Sequence, residues 1–230
     1  MPLLDHFRPP LSGRRHWHSF HNSWATYLAA DLNRLLPEGY FAEANVQFGI
    51  EIDVAAYDEQ TTPPPVGWTP PAPTTSIPYA VTTDQVEVLV YLQEGGPQLA
   101  AAVELVSPRN KDRPAAREAF VSKYLTYLNL PVGLIVVDVV TERHANLHAE
   151  LMARLGSPGA TAQPDLYATA YRRAEHGDGP TVDVWVESLE IGHTLPTLPL
   201  WLAGGLCLGV DLELTYTRTC NEQRVIANVA

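Results

Sequence analysis

The chain predicts an α/β protein built on a mixed β-sheet flanked by helices. Three observations carry that expectation. Residues 15–36 hold an amphipathic helical stripe, GLIVVDVV from Gly133 is a continuous apolar run, and strand-rich segments with turn chemistry lie on either side of that run.

In the first stripe, Trp17, Phe20, Trp24, Leu28, Leu32 and Leu35 recur at spacings of three and four, and Pro37 and Gly39 end it. Residues 40–57 read as two strands with a break near Gly49, the second being IEIDVAAY. Residues 61–78 hold seven prolines, too many for a helix or for pairing inside a sheet, and predict a surface excursion. Residues 85–93 and 98–107 are two β-rich runs joined by Glu94-Gly95-Gly96-Pro97, which predicts a hairpin. Pro114 suits the first position of a helix that keeps Phe120, Tyr124, Tyr127 and Leu128 on one face. The run from Gly133 has the pattern of a strand buried on both faces. A helix over 142–155 follows, then strands over 166–172 and 181–191 with a turn at 175–180. The C-terminal part, 195–230, combines a proline-broken apolar docking segment, LPTLPLWL, with LGVDLELTYTR, which suits either strand or helix.

With 230 residues the chain suits one domain, 1–230, and 46% hydrophobic with 18% charged residues is the composition of an ordinary globular protein. Fifteen Lys+Arg against 26 Asp+Glu give a net charge of −11, so contact with nucleic acid needs a local basic patch. Two isolated cysteines, Cys207 and Cys220, do not make a disulfide framework, and no apolar run is long enough to span a membrane. A cytoplasmic protein without membrane association is expected.

Three stretches in order along the chain resemble an uncharacterised bacterial family, domain of unknown function 4058. They are W-x-x-F-H (Trp17, Phe20, His21), the E-L-V-S-P-x-N-K block (Glu104 to Lys111) with Arg117 and Lys123 downstream, and L-P-x-L-P-L (Leu195 to Leu200). The acidic block with its following lysine and aromatic is also similar to the Uma-type endonucleases of the PD-(D/E)XK, restriction-endonuclease-like superfamily. That resemblance implies a restriction-endonuclease-like core of helix, three strands, helix and strand, and Mg²⁺-dependent phosphodiester cleavage. The superfamily places an Asp after a proline and a lysine two residues beyond the acid. Here Asp53 follows Ile52, and Val106 holds the lysine position. Relatives in which the lysine has moved to the neighbouring helix imply that role for Lys123.

The candidate catalytic residues are therefore Glu104, Lys123 and Asp53, and the candidate Mg²⁺ ligands Asp53, Glu87 and Glu104. A hairpin centred on Gly95 and Gly96 sets Glu87 opposite Glu104, and like charges so placed call for a cation. Arg109, Lys111 and Arg113 form a short basic turn that, with Arg117, could meet phosphate. Against this stands a plainer reading, in which the carboxylates are surface residues paired with Lys111, Arg117 or Lys123, and Lys123 merely extends past its apolar neighbours. Ser107 before Pro108 reads as a turn hydroxyl. His144 and His148 have the i, i+4 spacing of a zinc pair, yet Ala145 stands at the catalytic glutamate position and no third ligand is evident. His21 reads as a hydrogen-bonded interior histidine. Two functions stay open: a Mg²⁺-dependent phosphodiesterase acting on nucleic acid, or a catalytically silent interaction or homodimerisation module on the same fold.

Overall fold

The computed structural model describes residues 1–47, 51–58, 67–78, 98–130, 132–177, 179–203 and 205–225. Helix α1 (Trp17–Leu35) leads into strands β1 (Tyr40–Gln47) and β2 (Glu51–Asp58), followed by β3 (Thr75–Pro78) and β4 (Gln98–Leu105). Then come α2 (Pro108–Asp112), α3 (Pro114–Asn129), β5 (Gly133–Asp138) and α4 (Leu147–Arg154). The chain closes with β6 (Tyr167–His176), β7 (Gly179–Ser188), β8 (Thr197–Trp201), β9 (Cys207–Asp211) and α5 (Leu212–Glu222).

The described strands form a seven-stranded mixed sheet in the order β1-β2-β4-β5-β6-β7-β3, beside a two-stranded β8-β9 sheet. The expected α/β architecture is what the chain adopts. Only β4 and β5 run parallel, and α3 lies between them in sequence, as a parallel pair requires. The apolar run in β5 follows from its position. All six residues are buried; Leu134 and Val136 enter one core, Ile135 and Val137 the other.

One face of the sheet packs against α1, β8-β9 and α5, the other against α3 and α4. Phe20, Trp24, Leu28 and Leu32 bury the α1 stripe, while Leu35, the last helical residue, stays 47% exposed where the chain turns toward Pro37. The aromatic centre of this layer is locked by the Trp24 indole N–H donating to Thr215 Oγ1 at 3.1 Å and by edge packing of Trp24 on Tyr216 at 5.2 Å.

Several elements differ from expectation. The basic turn after Ser107 is the short helix α2, in which the Ser107 amide and hydroxyl both donate to Asn110 Oδ1. Helix α4 starts at Leu147, which leaves His144 outside it and removes the expected two-histidine face. The β6-β7 turn is tighter than read, with His176 facing Gly179. LPTLPLWL is strand β8, where Pro199 is tolerated because the two-stranded sheet leaves β8 an unpaired edge. The LGVDLELTYTR segment splits into strand β9 and helix α5 at Asp211, whose side chain accepts from Leu214 N. Within the proline-rich excursion, Thr75–Pro78 pairs with β7 as an edge strand, which proline permits, and Ile77 is buried there. The strand expected over 85–93 lies outside the described residues. β4 has β2 and β5 as its described neighbours.

The β8-β9 hairpin seats against Gly133, where an added Cβ would lie 2.3 Å from the Trp201 carbonyl oxygen and 2.8 Å from its nitrogen. The contact is backbone on both sides and cannot be relieved by a rotamer change. Gly133→Ala is expected to destabilise the fold by about 1–3 kcal/mol. Urea denaturation should show a lower midpoint at unchanged slope; an unaltered midpoint would contradict this seating.

Candidate functional site

Glu104 is the penultimate residue of β4 and shares its sheet face with Ala102 and Val106, beneath α3. It is 1% exposed. Lys123 and Tyr127, one helical turn apart on α3, converge on its carboxylate: Lys123 Nζ donates to Oε2 at 2.8 Å and the Tyr127 hydroxyl to Oε1 at 3.1 Å. The lysine ammonium also sits 4.8 Å above the Phe120 ring, one turn earlier on the same helix. The pairing of Glu104 with Lys123, anticipated by both readings of the sequence, is thus formed, in the interior and not at the surface.

Asp53 lies in β2, on the strand beside Glu104. The β2-β4 register pairs Val54 with Val103, and the next step along that ladder sets position 53 opposite position 104. The two carboxylate-bearing positions therefore occupy neighbouring strands at one level of the sheet. Glu87 lies outside the described residues.

The four residues expected to meet phosphate have separated. Arg109 and Arg113 are exposed. Arg117 is held by Glu150 at 2.7 Å. Lys111 is not part of an exposed basic turn: its ammonium is fully buried and donates to Asp138 Oδ2 at 2.8 Å. The cause lies in β5, where Asp138 ends an otherwise apolar strand and needs a counter-charge once covered. A lone aspartate inside GLIVVDVV was the sequence signal for such a partner.

Asp138 begins a second polar group on the α3-α4 side of the sheet. Its Oδ1 accepts from Val140 N at 3.0 Å, and burial raises its carboxyl to about 6 in spite of Lys111. Tyr167 accepts from the His148 amide at 3.1 Å. The His148 ring bridges the Tyr171 hydroxyl at 2.6 Å and Thr161 Oγ1 at 2.7 Å, and burial lowers its imidazole to about 4. Tyr124, between the two pairs electrostatically, has a buried hydroxyl with no hydrogen-bond partner among the described residues.

On the opposite side of the sheet His21 Nε2 lies 3.0 Å from the Leu105 carbonyl and its ring stacks on Trp17 at 5.8 Å, the interior role expected for it. His6 was not anticipated. It packs 4.1 Å from the Phe20 ring with Nε2 2.8 Å from the Tyr216 hydroxyl, and burial lowers it to about 4.

Among the described residues no cluster of three or more His, Cys, Asp or Glu could hold a metal, and no helix is long and apolar enough to cross a membrane. Cys207 and Cys220 are free thiols, both buried. The chain matches no family model, no curated protein and no solved structure.

The buried titratable groups set a pH dependence. Between pH 6.5 and 4 the unfolded chain protonates both His6 and His148 while the folded chain does not, so acidification removes stability. Asp138 acts oppositely: between about 6 and 4 the folded chain holds a proton that the unfolded chain releases. Two histidines outweigh one aspartate. Their combined contribution should lower stability by about 1 kcal/mol per pH unit near pH 5. Urea melts across pH 4.5–6.5 should show this slope, and His148→Asn should bring it close to zero; an unchanged slope in that variant would contradict the buried, neutral imidazole.

Proposed function

We propose that this chain is a Mg²⁺-dependent phosphodiesterase of the restriction-endonuclease-like kind, acting through Glu104, Asp53 and Lys123. The observation that carries the reading is the buried Glu104 carboxylate with the α3 lysine on it at 2.8 Å, at the ladder level of Asp53 on the adjoining strand. With β3, which pairs at the far edge, and the short α2 set aside, the order α1, β1, β2, β4, α3, β5 supports it further, since it is the helix, three strands, helix and strand that the resemblance implies.

Two carboxylates on adjacent strands suit Mg²⁺, which takes one or two protein carboxylates and keeps several waters. When bound, the metal supplies a Lewis acid and a water of lowered pKa. In this reading Glu104 and Asp53 hold the ion. Tyr127 fixes the orientation of the Glu104 carboxylate through Oε1. Lys123 supplies positive charge where the phosphate accumulates negative charge. Exposed Arg109 and Arg113 contact neighbouring phosphates, and the net charge of −11 makes binding to long duplexes weak and steeply salt-dependent.

A second reading rests on an observation of its own. Both Glu104 oxygens are engaged and the residue is 1% exposed, which is also how a purely structural ion pair looks in a silent interaction module.

Melting curves and cleavage assays separate the two. Millimolar Mg²⁺ or Mn²⁺ should raise the melting temperature, and Glu104→Gln should abolish that rise. Lys123→Met removes the counter-charge from the buried Glu104 and should cost about 3–5 kcal/mol, whereas the Glu104→Gln/Lys123→Met double variant should regain most of that loss. The double variant should be well folded yet inactive. A wild-type melting curve indifferent to metal, with no cleavage of single-stranded, duplex or branched substrates, would leave the silent module as the account.

A further inference from the structure

A cavity lies where β8 meets β5 and β6, and the residues above play no part in it. It measures about 660 Å³, within the range of small-molecule sites, and its lining includes Gly133, Arg172, Ala174 and Trp201 together with the Arg173–Glu175 ion pair. The Arg172 guanidinium stacks on the Trp201 indole, 3.7 Å from the ring centroid.

Arg172 has no carboxylate within ion-pairing distance among the described residues. Its cross-strand neighbour Asp183 turns Oδ1 to the Ser76 hydroxyl at 2.5 Å and to His176 Nε2 at 2.8 Å, and forms no ion pair with Arg172. The Glu175 carboxylate lies 3.7 Å from Arg173 instead. Arg172 is therefore a cation held by the indole, its hydrogen-bonding edge uncommitted among the described residues. A guanidinium stacked by its face on an indole keeps all its N–H donors in the ring plane, in the fork that matches a carboxylate or phosphate.

The platform beneath it is rigid. Gly133 lets the Trp201 backbone approach to a distance no side chain would permit, and the hairpin beyond is tied to the sheet by the Ala203 amide donating to the Ala100 carbonyl at 2.9 Å. The Trp201 indole N–H is buried, with no partner among the described residues. Apolar Val132, Ala174 and Leu202 supply the remaining wall.

We infer that this cavity binds a small organic oxyanion, a carboxylate or phosphate monoester on a compact apolar body, with Arg172 as the anion-holding residue and Trp201 as its support. The preformed geometry means that little ordering is needed on binding. The site is independent of divalent metal and of the Glu104 region, so its fate does not follow that of the phosphodiesterase reading.

Calorimetry in EDTA with phenyl phosphate, phenylacetate, inorganic phosphate and neutral phenol tests it on the full chain. Phenyl phosphate or phenylacetate should bind, and the stronger of the two identifies the headgroup; phenol should bind at least tenfold more weakly. Arg172→Gln should weaken the preferred ligand at least tenfold, and Arg172→Lys, which keeps charge but loses the planar fork, should recover only part of it. The Trp201 indole N–H resonance, assigned with Trp201→Phe, should shift on titration. Should Arg172→Gln fail to fold, the lysine variant and the indole resonance carry the test. No binding of either oxyanion at 5 mM, equal binding by folded Arg172→Gln, or inorganic phosphate binding as tightly as both organic probes would overturn the inference.

Discussion

Two lysine–carboxylate pairs buried between the sheet and its helices constrain everything on that side of the molecule. Glu104 with Lys123 and Asp138 with Lys111 each place opposite charges 2.8 Å apart, the second pair fully buried and the first with only the lysine, 12% exposed, reaching solvent. Desolvation makes such pairs poor sources of net stability, but once one member is buried the other becomes obligatory, because an unpaired interior charge costs several kcal/mol. Helix α3 cannot rotate or slide without stranding Glu104, and α2 cannot leave the end of β5 without stranding Asp138. The pairs therefore fix position more than they add strength.

This accounts for the unusual inner face of α3. It buries Val121, Tyr124, Tyr127 and Leu128, half of them tyrosines, because the sheet below presents a carboxylate among its aliphatic side chains. The α1 side of the sheet carries no such demand, and there large apolar side chains from α1, β8 and β9 interlock in the ordinary way. The two sides thus differ in charge: one is threaded by lysine–carboxylate pairs, while the buried hydrogen bonds of the other, such as His6 with Tyr216 and Trp24 with Thr215, join uncharged groups.

The parts of this arrangement legible in the sequence are those with a local signature. The α1 stripe, the double-sided β5 run, Pro114 at the start of α3 and the break between β1 and β2 each leave a mark within a dozen residues. The Glu104–Lys123 contact was legible because a strand end and the following helix are close in sequence. What could not be read depends on distant neighbours. Lys111 looked like a member of a basic surface turn because nothing local reveals that Asp138, some 27 residues on, lies against it. His144 and His148 were expected to share one helix face, which the helix start at Leu147 removes, and the buried hydrogen bonds of His148 had no local signal. The β8 strand was hidden by its prolines, which are acceptable only because that strand has an open edge. His6 could not be noticed at all, since its aromatic setting is assembled from α1 and a tyrosine about 210 residues away.

The path of the chain between β2 and β4 has a kinetic consequence. The polypeptide leaves the sheet near one edge, crosses the β9 strand with the Trp68 amide on the Cys207 carbonyl at 2.8 Å, and passes Trp185, whose indole donates to Pro71 O at 3.1 Å. It supplies β3 to the far edge before returning for β4. Thr75 meets Val184 across roughly 110 residues, whereas the β6-β7 hairpin closes over a handful. Pairing of such separated segments waits on loop closure, so β7 remains an open edge while the hairpin and the neighbouring strands assemble. During that interval it is an edge able to capture a strand from another molecule. The short, proline-ended β3 then caps it, leaving an edge that offers little to a further strand.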